Sequence, residues 1–497
     1  MAERTSGSRL QGRRPMVLLL LLAALAAYKG GPSAAGAAGE PLGKIEPGLL
    51  DKIQASGETT FWVLLHERAN LAPAYQLLNH DDRGAFVYRR LKEVASRSQG
   101  GLRSLLDAHG ASYRPFWIVN AVRVTAGEAV LLEIAARPEV KSIRADRTYR
   151  LPPVEVGAAA EARVDTVEWG IDRIRAPLVW STFNDRGEGI VVAHIDTGVQ
   201  YNHPALVRQY RGNLGGGSFD HNYNWFDPSH VCNPANVPCD NVAHGTHIMG
   251  TMVGDDGMPG PNQIGVAPNA KWIAAKGCES TSCSLAALLA SGEWVLAPTD
   301  LQGNNPRPDL RPHVVNNSWG GAPGDTFYLD IVQAWRASGI FPAFANGGSG
   351  PSCGSAGSPG DYVATYSAGA FDINNNIASF SSRGPSAFPG PSTSRSGPFE
   401  IKPNIAAPGV SIRSSVPTNS YSIFNGSSMA LPHVAGTVAL IWSAAPAVSR
   451  NIGATRMILD DSAVDVSSLG CGGTADDNNV WGEGRLDAFA AVERAPR

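Results

Sequence analysis

Apolar and polar positions alternate with two different periods along this chain, and the period changes mark its elements. The apolar run Phe61-Leu65 predicts a strand, and from about Ala85 to Ala108 the residues Phe86, Leu91 and Val94 separate from the basic pair Arg89-Arg90 as the faces of a long amphipathic helix, with a break expected at Gly100-Gly101. Strands follow around Phe116-Trp117 and over Asn120-Thr125, then a helix over Glu128-Arg137 and a strand over Val140-Ile143. Strand, helix, two strands, helix, strand is the βαββαβ order of a small ferredoxin-like α+β domain, here spanning about Pro41 to Arg150. The next segment, Leu151 to Val164, carries Pro152-Pro153 and Ala158-Ala160 and reads as an exposed linker.

From residue 165 to the end, short apolar strand runs alternate with helix-like segments. The runs are Ile190-Ile195, Lys271-Lys276, His313-Asn317, Ile340-Phe344 and Tyr362-Ala368, and the alternation predicts an α/β domain built on a doubly wound parallel sheet. Chemistry in such sheets gathers beyond the C-terminal ends of the strands. Ile190-Ile195 delivers Asp196-Thr197-Gly198 there, and His244-Gly245-Thr246-His247 opens a buried helix over Ile248 to Val253. Asn425-Gly426-Ser427-Ser428-Met429-Ala430-Leu431-Pro432-His433 leads into another, Val434 to Trp442, with Pro432 read as a first-turn proline. Taken alone, that last stretch reads equally as an ordinary helix cap. A hydroxyl at a helix N-terminus also faces free N–H groups and the positive end of the dipole, which stabilise developing negative charge.

Together HIDTGV, HGTHIMGTMVG and NGSSMALPHVAG resemble the subtilisin-like serine proteases, the subtilases, and occur in that family's order with the nucleophile last. The likeness runs from about Trp169 to the C-terminus, and the preceding α+β segment resembles the inhibitor propeptide of many subtilases. The resemblance implies a catalytic triad of Asp196, His244 and Ser428. It assigns Ser318-Trp319-Gly320-Gly321 to pairing with the substrate backbone, and Gly357-Ser358-Pro359-Gly360 to the floor of the pocket before the scissile bond. Glycines there imply a bulky apolar guest. Both loops also read as plain turns.

One departure concerns the oxyanion donor, an Asn in an Ala-Gly-Asn turn in the family. Here Phe344-Ala345-Asn346-Gly347-Gly348-Ser349-Gly350 puts Gly348 at that position, and Asn346 reaches it only if the strand is two residues shorter. Ser428 N–H and the Ser427 hydroxyl are the other donors. Losing one such donor costs about 10²–10³ in rate, a figure obtained on a subtilisin.

Composition narrows the rest. With 497 residues, 43% hydrophobic and 17% charged, the chain buries a large core, and a net charge of -3 without a long basic run leaves no electrostatic footprint for nucleic acid. Arg13-Arg14-Pro15, the apolar run Met16 to Ala27 and a Gly/Ala-rich stretch to near Glu40 match a secretory signal rather than a membrane span, with Ala24-Leu25-Ala26 one cleavage candidate and the paired arginines a hint of twin-arginine export. Six cysteines, Cys232, Cys239, Cys278, Cys283, Cys353 and Cys471, agree with export. Cys232/Cys239 and Cys278/Cys283 are close enough to staple single loops, leaving Cys353 and Cys471, among fifteen pairings six cysteines allow. No cofactor is required. His244 and His247 lack zinc-site spacing, and His247 reads as a hydrogen-bonded core residue. Calcium is common in the family; Asp220, Asp227, Asp240, Asp255 and Asp256 carry oxygens for it, and read otherwise as a solvated loop face. Two functions follow: a secreted, self-processing, monomeric endopeptidase whose partners are peptide or protein substrates and its own propeptide, or a silent subtilase-fold protein that binds peptides.

Overall fold

The computed structural model of the protein describes residues 41–152, 155–160, 166–257, 262–390 and 398–496; the leader and linker expected over 1–39 lie outside them. After a short helix α1 (Leu49–Ser56) come β1 (Thr59–Leu65), α2 (His80–Ala108), β2 (Ser112–Phe116), β3 (Ala121–Ala126), α3 (Glu128–Ala136) and β4 (Val140–Ala145). The strands lie in the order β2-β3-β1-β4 with every neighbouring pair antiparallel, the sheet of a βαββαβ unit. Asn79 caps α2, its Oδ1 accepting from the N–H groups of Asp81 and Asp82.

The break expected at Gly100-Gly101 is absent, and α2 runs through both glycines. Each glycine costs a helix about 1 kcal/mol relative to alanine. Packing on either side overrides that cost. Leu102 and Leu106 are buried in the domain core, and buried Gln99 donates to Phe116 O at 3.0 Å and Asn120 Oδ1 at 3.0 Å.

The larger part is a seven-stranded, wholly parallel sheet: β7 (Val191–Asp196), β8 (Trp225–Phe226), β9 (Lys271–Lys276), β11 (Val314–Asn317), β12 (Phe341–Ala345), β13 (Tyr366–Phe371) and β14 (Ile405–Pro408), ordered β8-β9-β7-β11-β12-β13-β14. Alternation along the strands builds two cores. Val192, Ala274, Val314 and Ala343 pack with the helices α4 (His244–Val253) and α7 (Ser427–Ala444), whereas Ala193, Ile273, Val315 and Phe344 pack with α5 (Leu285–Leu296) and α6 (Leu329–Ser338). Tyr362–Thr365, expected to begin a strand, instead form a turn in which Tyr362 N donates to Pro359 O and Thr365 N to Tyr362 O. The edge strands β8 and β14 are too short, or too poor in large apolar residues, to stand out by pattern.

The N-terminal domain sits on the α5/α6 side. Phe61, Val63 and Leu65 of β1 face its own core, while Trp62 and Leu64, on the opposite face, join the core that contains Trp294, Phe327 and Tyr328. Polar anchors flank this contact. Arg83 donates to the carbonyls of Ala337 (2.6 Å) and Arg336 (2.8 Å) at the C-terminal end of α6, and Glu293 of α5 accepts from the N–H groups of Trp117 (2.5 Å) and Ile118 (3.2 Å).

The exposed linker over Leu151–Val164 needs correction. Leu151 is buried, and the backbone of Glu155–Ala160 is a strand, β6, antiparallel to β15 (Ser420–Asn425), which on its other side pairs with Ile412–Val416. Residues 153–154 and 161–165 lie outside the described chain. Cys232–Cys239, Cys278–Cys283 and Cys353–Cys471 are disulfide-bonded. Among the described residues no helix is long and apolar enough to cross a membrane.

Gly84 tests the docking contact. A Cβ there would lie 2.3 Å from Arg311 Nη1, and Arg311 is fully buried with its guanidinium bonded to the carbonyls of Ser338, Pro308 and His80, so it has nowhere to go. Gly84→Val is expected to destabilise the whole chain by about 1–3 kcal/mol, read as a fall in thermal midpoint, while Gly43→Val, where nothing lies within 4 Å, has little effect.

Candidate active site

Three side chains singled out by sequence occupy the C-terminal edge of the sheet. Asp196 ends β7, His244 is the first residue of α4, and Ser428 is the second residue of α7; all three are buried. His244 Nδ1 lies 2.7 Å from Asp196 Oδ1, which also accepts the N–H of Thr197 at 2.8 Å. Burial pushes the Asp196 carboxyl up, but the charge and hydrogen bond of His244 outweigh it and hold the group below its ordinary value. Burial likewise pushes His244 down, and Asp196 with the more distant Asp240 outweighs that, so the imidazole stays above its ordinary value.

The serine is not hydrogen-bonded to the imidazole. Among the described residues His244 Nε2 has no partner, and Ser428 Oγ lies 3.5 Å from the carbonyl of Ser318. Pro432 is the sixth residue of α7, not a first-turn residue, so its missing N–H does forfeit an intrahelical bond. The carbonyl it frees is that of Ser428, which accepts the Ser318 hydroxyl at 3.3 Å.

Asp240 holds the strand end and the helix head together. Its Oδ1 accepts from Thr197 Oγ1 (3.0 Å), Val242 N (3.0 Å) and Ala243 N (2.9 Å), and its Oδ2 from Thr246 N (2.8 Å) and Thr246 Oγ1 (2.7 Å). Thr197 Oγ1 in turn accepts the N–H of Gly245 at 2.9 Å. All five partners of Asp240 donate, so the group acts as a carboxylate although burial pushes its pKa up. The sequence offers Asp240 as a calcium oxygen or as part of a solvated loop face, and the structure buries it instead; its place four residues before His244, ahead of a helix N-terminus, was the available signal.

The other acidic residues are used locally. Asp227 accepts from the N–H groups of Ser229, His230, Val231 and Cys232, Asp255 pairs with Arg208, Asp256 accepts from Asn262 N and Asp220 from Asn222 N. Among the described residues no group of three His, Cys, Asp or Glu side chains is placed to hold a metal ion. His247 Nε2 faces the carbonyls of Ile412 and Ser422 in the core, and burial pushes its pKa down to about 3.

Gly348 lines the cleft, in a cavity of about 860 Å³ that also borders Leu151, Pro152, Trp319, Gly320 and Gly357. Asn346 does not serve there: it directly follows β12, its Nδ2 donates to Ser382 O at 2.7 Å and its Oδ1 accepts Ser367 Oγ at 3.3 Å, so the carboxamide is spent inside the fold. Ser427 Oγ is buried with no partner among the described residues.

Two backbone edges bound the cleft, and a strand lies between them. β5 (Thr148–Arg150) pairs antiparallel with β10 (Ser282–Ser284), and on its other side Arg150 and Gly320 exchange two N–H···O bonds, each 2.9 Å. Leu151 N–H donates to Thr281 O at 3.2 Å. Cys278 donates its N–H to Asp196 O and is bonded to Cys283 of β10, which ties the cleft edge to the strand carrying Asp196. Of the expected recognition residues, Gly320 supplies backbone and Trp319 and Gly357 supply walls, while the Ser318 hydroxyl braces α7 and its carbonyl lies 3.5 Å from Ser428 Oγ.

A parallel sheet whose edge brings an Asp–His pair to the head of one buried helix and a serine to the head of another defines the subtilisin-like class of serine proteases. The chain belongs to it: residues 187–484 match the Subtilase family. It is 38% identical over 489 residues to bacillopeptidase F of Bacillus subtilis, a match covering 90% of this chain and 32% of that protein. It is 33% identical over 340 residues to subtilisin E of the same species, covering 68% and 74% of the two chains. The chain thus spans about a third of the first relative and about three quarters of the second.

The charge of Asp240 should show in the pH profile. If His244 is the group that accepts a proton in hydrolysis, it must be neutral to do so, and hydrolysis falls as pH drops through its pKa. Asp240→Asn removes a negative charge that favours the imidazolium, which lowers that pKa and moves the acid limb of kcat/KM to lower pH. It also sets an amide against the Thr246 donors, so kcat and thermal stability are expected to fall.

Proposed function

We propose that the chain is a serine endopeptidase, exported, monomeric, and held inactive by its own N-terminal domain until that domain is cut away. In this reading Ser428 Oγ attacks the scissile carbonyl as His244 Nε2 takes its proton. His244 then returns the proton to the leaving amine while Asp196 holds the tautomer and stabilises the imidazolium. Water hydrolyses the acyl-enzyme with His244 again as base. Ser428 N–H, the Ser427 hydroxyl and the positive end of the α7 dipole face the developing oxyanion. No cofactor enters the reaction, and calcium, if bound, serves the fold. The three disulfides support export.

The observation that carries this reading is the seating of Thr148–Leu151 as an extra strand between β10 and Gly320. Backbone pairing on two edges holds an extended peptide whatever its sequence, which is what cleavage of many proteins requires. The cavity beside it, bordered by Trp319, Gly320, Gly348 and Gly357, suits a large apolar side chain before the cut.

A second reading, a subtilase-fold protein that binds peptides without cutting them, is favoured by the commitment of Asn346 to Ser382. A serine-directed fluorophosphonate separates the two, because labelling requires an activated Ser428 and a working oxyanion site. Labelling that is lost in Ser428→Ala, together with retention of the N-terminal domain in that variant, is the expected result. An unlabelled wild-type chain favours the silent binder, and self-shortening of pure Ser428→Ala protein rules out Ser428 as the nucleophile.

Residues from Pro41 to Arg150 supplied as a separate polypeptide are expected to inhibit the matured enzyme competitively with substrate. Unchanged hydrolysis at micromolar excess of the folded domain contradicts the inhibitory role.

A further inference from the structure

The strand already seated in the cleft points one side chain into a pocket with a polar end. Tyr149 stands opposite Cys283, one residue before the residue that exchanges hydrogen bonds with Gly320, and is only 2% exposed. Its ring meets the edge of Trp319 at 5.6 Å between centroids. On the other side it rests on Gly321, where a Cβ would come within 2.9–3.1 Å of ring carbons, so the space exists because that residue has no side chain. The phenol oxygen lies 3.0 Å from Asp325 Oδ2.

Asp325 is placed to receive a hydroxyl. Its Oδ1 is taken by the N–H of Phe327 at 2.9 Å, leaving Oδ2 to face the pocket, and the side chain is 14% exposed. The other group on Oδ2 is Arg147 at 3.2 Å, which also pairs with Glu46; both belong to the N-terminal domain and depart with it. Burial and the charge of Asp325 hold the Tyr149 phenol above its ordinary range, so it stays protonated and donates.

We propose that the subsite now filled by Tyr149 selects tyrosine in substrates, Asp325 accepting the phenol hydrogen at the end of an aromatic slot. This rests on the endopeptidase reading. Any extended chain paired with Gly320 aims the corresponding side chain into the same slot, because strand pairing fixes direction. Phenylalanine fills the walls but offers the carboxylate no donor. A lysine must bring its ammonium out of water past Trp319, which costs more than a neutral phenol does.

The test uses the matured enzyme and quenched peptides in which a single tyrosine is moved through the positions upstream of the cut, each compared with phenylalanine, leucine and lysine. At one position tyrosine is expected to exceed phenylalanine in kcat/KM by about ten- to a hundredfold, and Asp325→Ala brings that ratio close to one. Equal rates for tyrosine and phenylalanine everywhere, or lysine preferred at that position, overturn the proposal while leaving the protease reading intact. If no peptide is cut, it is the protease reading that fails, and the subsite is tested in the uncut Ser428→Ala chain by nicking of the segment after Leu151 with an added protease. There Tyr149→Phe should speed nicking about tenfold in the presence of Asp325 and much less in an Asp325→Ala background. No difference between the two backgrounds overturns the proposal.

Discussion

An Asp–His pair is only as good as the spacing between the strand that carries one partner and the helix that carries the other, and here one carboxylate sets that spacing. Asp240 gathers donors from Thr197, on the strand side, and from Val242, Ala243 and Thr246, on the helix side. The arrangement sits where the parallel strands end, the place at which backbone groups lose their ladder partners and need others. Lys276, at the end of the neighbouring strand and fully buried, helps by donating to Thr197 O at 2.7 Å and Asn241 Oδ1 at 2.8 Å. The polar cluster thus satisfies itself and, in doing so, aims His244.

The same helices serve two masters. α5 and α6 cover one face of the sheet from within and receive the N-terminal domain from without, so Trp294, Phe327 and Tyr328 share a core with Trp62, Leu64 and Phe116. One of the polar anchors uses a helix end, which carries free backbone groups and partial charge. Arg83 finds the carbonyl end of α6, and Glu293 answers two N–H groups in the tight connection between β2 and β3.

The architecture was legible where burial is two-sided and periodic. Runs such as Lys271-Lys276 and His313-Asn317, alternating with helix-like segments, fit the inside of a parallel sheet, and the βαββαβ order could be read from the succession of strand and helix patterns. Asp196 and His244 were legible because each follows or opens a buried run. What escaped notice depends on distant partners. Gly100 and Gly101 look like a break until Leu102 and Leu106 are seen in the core. Leu151–Val164 looks like a tether until Glu155–Ala160 is seen paired with Ser420–Asn425. Pro432 reads as a first-turn residue until the helix is found to begin at Ser427. Asp325 carries no motif at all, and its use appears only with Tyr149 beside it.

The two-faced sheet of the N-terminal domain has a consequence for its fate. Trp62, Leu64, Phe116, Val87 and Leu91 are covered only while the domain stays where it is. Once adrift it would turn an oily face to water, a surface that invites clumping and attack. If the domain is cut away as proposed, the liberated piece would be the more perishable of the two, and its loss would take a competitor for the cleft out of solution.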